Sequence, residues 1–176
     1  MPKGILDIVT YNKEYWSVPV NIHRANVLWY NKKIFAENNL KPPKTFDEFF
    51  KVADALKAKG ITPFVIGTKE GWEAAHIFET VLIGKLGSEG YKGLWTGKTK
   101  WADPKVTDAL ETFKKMLTYV NSDHPARTWD EACSLIVDGT GAMTIMGDWA
   151  VGYFYAKEFK DFGWALVPEN TGIFDA

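Results

Sequence analysis

Three kinds of side chain in this sequence could do chemistry, and their spacing decides which reactions are open. A single cysteine, Cys133, excludes an internal disulfide and a thiolate cage for a metal. The histidines His23, His76 and His124 lie far apart and form no HxxxH or HxxH pair, so no local metal site can be read and no cofactor is implied. No GxSxG elbow presents a nucleophile. The stretch Gly93-Leu94-Trp95-Thr96-Gly97-Lys98-Thr99 looks like a phosphate loop, but Lys92 stands where glycine is required and no buried strand precedes it. Gly139-Thr140-Gly141 comes before a strand instead of after one, so it fails as a dinucleotide fingerprint. Of the acids, Asp47, Glu48, Asp103, Asp130 and Glu131 fall at helix starts, where the macrodipole accounts for them. Nothing points to the convergent carboxylates of a glycosidase, although a carbohydrate-active enzyme stays open as the alternative reading.

What remains is aromatic and polar together. The chain carries 8 Trp, 7 Tyr and 11 Phe in 176 residues, more tryptophan than one small core needs. Asp148 and Trp149 stand where a strand ends and a helix begins, the place where ligands sit in open α/β sheets. Trp129 falls in the first turn of its own helix, and Trp72 opens another. His23 and Asn21 share the strand face opposite Val18, Val20 and Ile22. Flat indole faces can cover the apolar C–H face of a pyranose, and Asp, Asn and His pair with hydroxyls. Each residue also has a plainer role open to it. Asp148 could cap its helix, Trp129 could act as a hydrophobic staple, Trp149 could pack under the sheet, and His23 could be a satisfied strand histidine. Trp29, Trp95, Trp101 and Trp164 read as core or interface.

The elements that must position these groups are legible in the spacing. Residues 16–30 read as extended, with Val18, Val20 and Ile22 on one buried face and Pro19 arguing for a sheet edge or a run between elements. A short helix is expected from Lys32 to Asn38, stopped before Pro42-Pro43. Thr45 and Glu48 form a capping box for the helix of Phe46, Phe49, Phe50, Ala53 and Leu56, which Gly60 ends. Residues 63–67 read as a short buried strand, and 72–86 as a helix apolar nearly all round. Asp103-Pro104 opens a helix with an apolar stripe of Val106, Leu110, Phe113, Leu117 and Val120. A second capping box, Thr128 with Glu131, starts a helix to Val137. A strand over 142–146, a helix from Trp149 to about Lys160 and an extended piece over 163–167 complete the order. Strands alternating with helices make an α/β layered unit.

At roughly 150 residues per domain, the length allows about one domain. The 21 basic and 22 acidic residues leave a net charge of −1, which disfavours nucleic acid or an anionic membrane as partner. No stretch approaches the roughly 18 apolar residues of a membrane span, and the start at Met1-Pro2-Lys3 shows no signal-peptide pattern.

Several motifs in order resemble one family. Tyr15-Trp16-Ser17-Val18-Pro19-Val20-Asn21-Ile22-His23-Arg24, followed by Val27-Leu28-Trp29-Tyr30-Asn31-Lys32, resembles the segment by which extracellular solute-binding proteins of sugar ABC transporters enter their second lobe. Lys41-Pro42-Pro43-Lys44-Thr45-Phe46-Asp47-Glu48 is similar to that family's helix start, with Phe46 in place of the commoner Trp. The run from Asp138 to Trp149 is similar to its Gly-Ala-Ala-Met…Gly-x-Trp signature, with Gly141 where Ala is usual. Asp161 to Pro168 matches the return toward the first lobe, and the VNIHR and MGDW variants are most similar to the glucose- and galactose-binding branch.

The resemblance implies an α/β fold: a single lobe of a type II periplasmic-binding-protein-like fold, with a small mixed sheet flanked by helices. Residues 1–176 would form one domain, the second lobe, with the first lobe absent. It implies a non-enzymatic monosaccharide receptor, periplasmic or extracellular, without cofactor or metal. Its partners would be a small-molecule sugar, the other lobe and an ABC permease. By the same resemblance Trp149 and Trp129 would stack on the sugar and His23 and Asp148 would bond its hydroxyls, with Asn21 and Trp72 as further candidates. With half the cleft walls missing, such a lobe is expected to bind glucose weakly or not measurably, and its exposed aromatics to self-associate.

Overall fold

A computed structural model describes residues 3–170. The chain opens with helix α1 (Lys3–Val9) and a two-stranded hairpin, β1 (Thr10–Tyr11) and β2 (Glu14–Tyr15). It then runs without regular structure to β3 (Val27–Asn31). There follow α2 (Lys32–Glu37), α3 (Phe46–Lys57), β4 (Thr62–Phe64), α4 (Trp72–Thr96), α5 (Pro104–Met116), α6 (Trp129–Val137), β5 (Gly141–Met146), α7 (Ala150–Ala156) and β6 (Phe162–Leu166). Residues 1, 2 and 174–176, on which the expectation of an excised lobe partly rests, lie outside the described residues.

Four strands form one mixed sheet in the order β4-β5-β3-β6. β3 pairs antiparallel with both β5 and β6, placing Trp29 opposite Thr144 on one side and Trp164 on the other. β4 runs parallel to β5. Successive side chains of a strand point to opposite faces, and β3 shows it: Leu28 enters one core while Val27 and Trp29 enter another. The first core sets Leu28, Met143 and Ile145 against Phe49, Leu56, Ile77 and Met116 from α3, α4 and α5. The second sets Trp29, Val65 and Met146 against Cys133, Ile136 and Phe154 from α6 and α7. Helices therefore cover both faces, the α/β layering expected from the sequence. Burial pushes the Cys133 thiol up to about 12, so the side chain is a packed apolar group rather than a nucleophile.

The caps follow their sequence signals. Thr45 accepts from the Glu48 amide at 3.1 Å while Glu48 accepts from the Lys44 amide at 2.7 Å, and Asp103 accepts from the Lys105 amide at 2.9 Å ahead of Pro104. Gly67 has a steric cause: a Cβ there would lie 2.1 Å from the Thr128 carbonyl oxygen. Only glycine lets the chain after β4 pass the start of α6.

Four expectations need correction. The alternation of Val18, Val20 and Ile22 does not make a strand: Val18 and Val20 are 83% and 93% exposed. Helix α1 likewise has no buried residue. In α5 the buried line is Val106, Ala109, Thr112 and Met116, with Leu110 and Leu117 outside it. α5 packs against α4, and its buried face runs through the small Ala109 rather than the larger Leu110. The helix from Trp72 does break at Gly87, which takes φ 69° and ψ 171°, but helix resumes beyond it to Thr96. Finally, α7 ends at Ala156, because Phe159 folds back onto Phe154 in the second core and Glu158 turns the chain with a positive φ.

Candidate functional site

The site grows from the corner between β5 and α7, where the sheet ends and backbone groups lose their ladder partners. Trp29, buried in the second core, turns its indole Nε1 toward this corner and donates to the carbonyls of Met146 at 3.1 Å and Gly147 at 3.3 Å. One residue on, the Asp148 amide donates to the Arg24 carbonyl at 2.8 Å. The Asp148 side chain does not cap α7. It reaches across to the segment before β3, with Oδ1 2.7 Å from His23 Nδ1 and Oδ2 accepting from the Arg24 amide at 3.1 Å. Burial disfavours the ionised carboxyl, but the Arg24 amide and then His23 outweigh it and hold Asp148 below the ordinary carboxylate value.

Trp149 is placed by what precedes it. Its indole folds back over Gly147, where a Cβ would lie 2.1 Å from a ring carbon, so glycine is a condition of this ring position. The His23 ring stands edge-on to Trp149, centroids 5.3 Å apart at 90°. Trp72, at the first turn of α4, sits 6.2 Å from Trp149 and 6.2 Å from His76, and its Nε1 donates to Glu70 at 3.0 Å. A groove of about 660 Å³ adjoins the His23–Asp148 pair, lined also by Ile22, Arg24, Tyr155 and Trp164.

Of the expected site residues, then, the fold brings four together: His23, Asp148, Trp149 and Trp72. Trp129 is half-buried at the start of α6 with its ring 6.1 Å from Tyr153 of α7, on the same second core that supports Trp149. Asn21 is exposed in the segment before β3. Of the four tryptophans expected in core or interface, Trp29 is buried, while Trp95, Trp101 and Trp164 are 51–63% exposed.

Four participants escaped the sequence reading. Arg24 acts through its backbone, which no side-chain motif reveals. Gly147 acts by lacking a Cβ. Glu73 and His76 are buried inside a helix that reads as apolar, although their i, i+3 spacing does place them on one face. Both Glu73 carboxylate oxygens are without a hydrogen-bond partner among the described residues, and burial pushes this carboxyl above its ordinary value. Among the described residues no group of three or more His, Cys, Asp or Glu could hold a metal ion, and no helix is long and apolar enough to cross a membrane.

This arrangement can stack and hydrogen-bond a small polar ring. Comparison with known proteins gives it a setting, since residues 2–173 match the family model of bacterial extracellular solute-binding proteins. The chain belongs to that family. At family level these are binding proteins, not enzymes. This solute-binding chain is 45% identical over 99% of its length to an uncharacterized ABC transporter extracellular-binding protein of Pyrococcus horikoshii, and spans 40% of that relative. It is 29% identical over 85% of its length to the glucose-binding protein GlcS of Saccharolobus solfataricus, spanning 28% of it. A solved chitin oligosaccharide binding protein superposes on 95% of this chain with a TM-score of 0.85 and 25% identity, the overlap covering 43% of that structure. The solute-binding chain thus spans well under half the length of the relatives it matches.

Proposed function

We propose that this chain forms one wall of a sugar-binding cleft, a lobe of an ABC-uptake receptor acting in the periplasm or outside the cell, with a facing lobe completing the site and an ABC permease receiving the sugar. The observation that carries the reading is the convergence on Trp149 of His23 and Trp72, with ring centroids 5.3 Å and 6.2 Å from the Trp149 ring, at the carboxyl end of a central strand. Trp149 and Trp72 would offer indole faces to the C–H face of the sugar, while His23 and Asn21 would meet hydroxyls. Trp129 would extend the aromatic wall along α6. We take the ligand to be a monosaccharide, glucose or galactose. Supporting this is the VNIHR and MGDW sequence around the site and the similarity to the glucose-binding protein of Saccharolobus solfataricus.

Calorimetric titration with D-glucose, D-galactose and chitobiose tests the reading. Most of a ligand's surface must be covered for tight binding, so the chain alone should bind glucose or galactose weakly, with Trp149→Ala abolishing the signal. Preference for the disaccharide would overturn the monosaccharide assignment, and micromolar binding would overturn the half-cleft. Exposed Tyr15, Trp16, Val18 and Trp164 also support self-association of the open face, which sedimentation velocity over a concentration series would register as a rising mean mass.

A further inference from the structure

We propose that Asp148 is a positioning residue for the sugar site, acting through His23 by fixing which imidazole nitrogen carries the proton. The proposal rests on the reading of His23 as a sugar contact.

The geometry uses both carboxylate oxygens. Oδ2 takes the Arg24 amide at 3.1 Å, and the Asp148 amide returns a bond to the Arg24 carbonyl at 2.8 Å. This pair of bonds fixes the main chain beside His23 relative to the β5–α7 corner. Oδ1 then lies 2.7 Å from His23 Nδ1. An ionised carboxylate can only accept, so Nδ1 must be the donor. In the neutral ring Nε2 is consequently left without a proton, as an acceptor of one hydroxyl O–H. The ring's other neighbour is the Trp149 indole, with centroids 5.3 Å apart and planes at 90°. A free imidazole presents either nitrogen as a donor; this one is held to a single polarity. The consequence is selective. To the neutral ring a hydroxyl in this position is a donor, and the choice is made by a residue one step behind the contact.

Asp148→Asn separates this role from simple support. The amide oxygen can still accept from the Arg24 amide, while its NH2 faces Nδ1 and requires that nitrogen to accept. The proton should move to Nε2. Long-range proton–nitrogen NMR of His23, recorded where the spectrum shows the neutral ring, reads this directly. We expect Nδ1–H in the parent chain and Nε2–H in Asp148→Asn. A parent ring carrying its proton on Nε2, or the same tautomer in both proteins, overturns the inference.

Titration with D-glucose, followed by chemical-shift changes at Trp149, supplies the second arm. Asp148→Asn should weaken binding about tenfold, and adding it to His23→Ala should cost nothing more. Unequal and additive losses would mean that Asp148 acts independently of His23. If His23→Ala leaves glucose binding unchanged, the sugar-contact reading fails while the tautomer result still stands or falls by itself.

Discussion

The segment before β3 and β3 itself are written in the same alphabet and have opposite fates. Val18 and Val20 are almost fully exposed, whereas Val27, Leu28 and Trp29, a few residues on, are 7% exposed or less. The difference is in what lies alongside. β3 has β5 and β6 hydrogen-bonded on either edge and helices over both faces. The earlier segment pairs with no strand among the described residues, and its Val18 and Val20 stay in water. Alternation describes a strand's two faces; it does not supply the neighbour that buries one of them. The same comparison bears on the candidate site. The buried strand anchors the Trp29 indole beneath the site corner, and the exposed segment delivers His23 and Arg24 to that corner's edge.

Mutations sharpen this contrast. The largest effect should come from Leu28→Ala, which empties a fully buried position of β3 and should cost roughly 2–5 kcal/mol in urea unfolding. Gly147→Ala comes next. The new methyl collides with the Trp149 ring, and overpacking of this kind costs about 1–3 kcal/mol; a changed near-ultraviolet circular dichroism signal should report the displaced indole.

Glu73→Gln tests a buried group whose cost depends on pH. The native state holds the Glu73 proton more tightly than the unfolded chain does, so stability is full in acid and declines as pH rises through the raised value. The substitution should therefore change little at pH 4 and raise the Tm at pH 7.5 by roughly 2–4 °C, the shift that accompanies about 1 kcal/mol in a chain of this size. A gain confined to acid would reverse the assignment. The smallest effect belongs to Val20→Ser, expected within about 0.5 kcal/mol. A loss above about 1 kcal/mol would show that the exposed segment docks against something in the folded chain, and the contrast would break.

Much of the fold was legible because its signals are local. Thr45 with Glu48, Asp103 with Pro104, and Thr128 with Glu131 each mark a helix start through side chains that bond amides two or three residues away. Gly87 ends a helical run because its backbone adopts a positive φ. The face of α5 was not legible, since whether Leu110 or Ala109 turns inward depends on how closely another helix approaches. The candidate site was half legible. An indole beside an aspartate at a strand's end is a pattern in one dimension. That Asp148 would pass over its own helix to hold a histidine 125 positions away is not.

By itself the sequence determined the α/β order of elements, the caps that start the helices and the stock of indoles and hydroxyl-pairing side chains, because each depends on residues within a turn or two of one another. Tertiary structure alone decided which apolar stripes were covered, which tryptophans stayed in water and which way the Asp148 carboxylate turned. Those outcomes depend on surfaces brought together from distant parts of the chain, and a carboxylate bonds whichever donors the fold sets within hydrogen-bond reach.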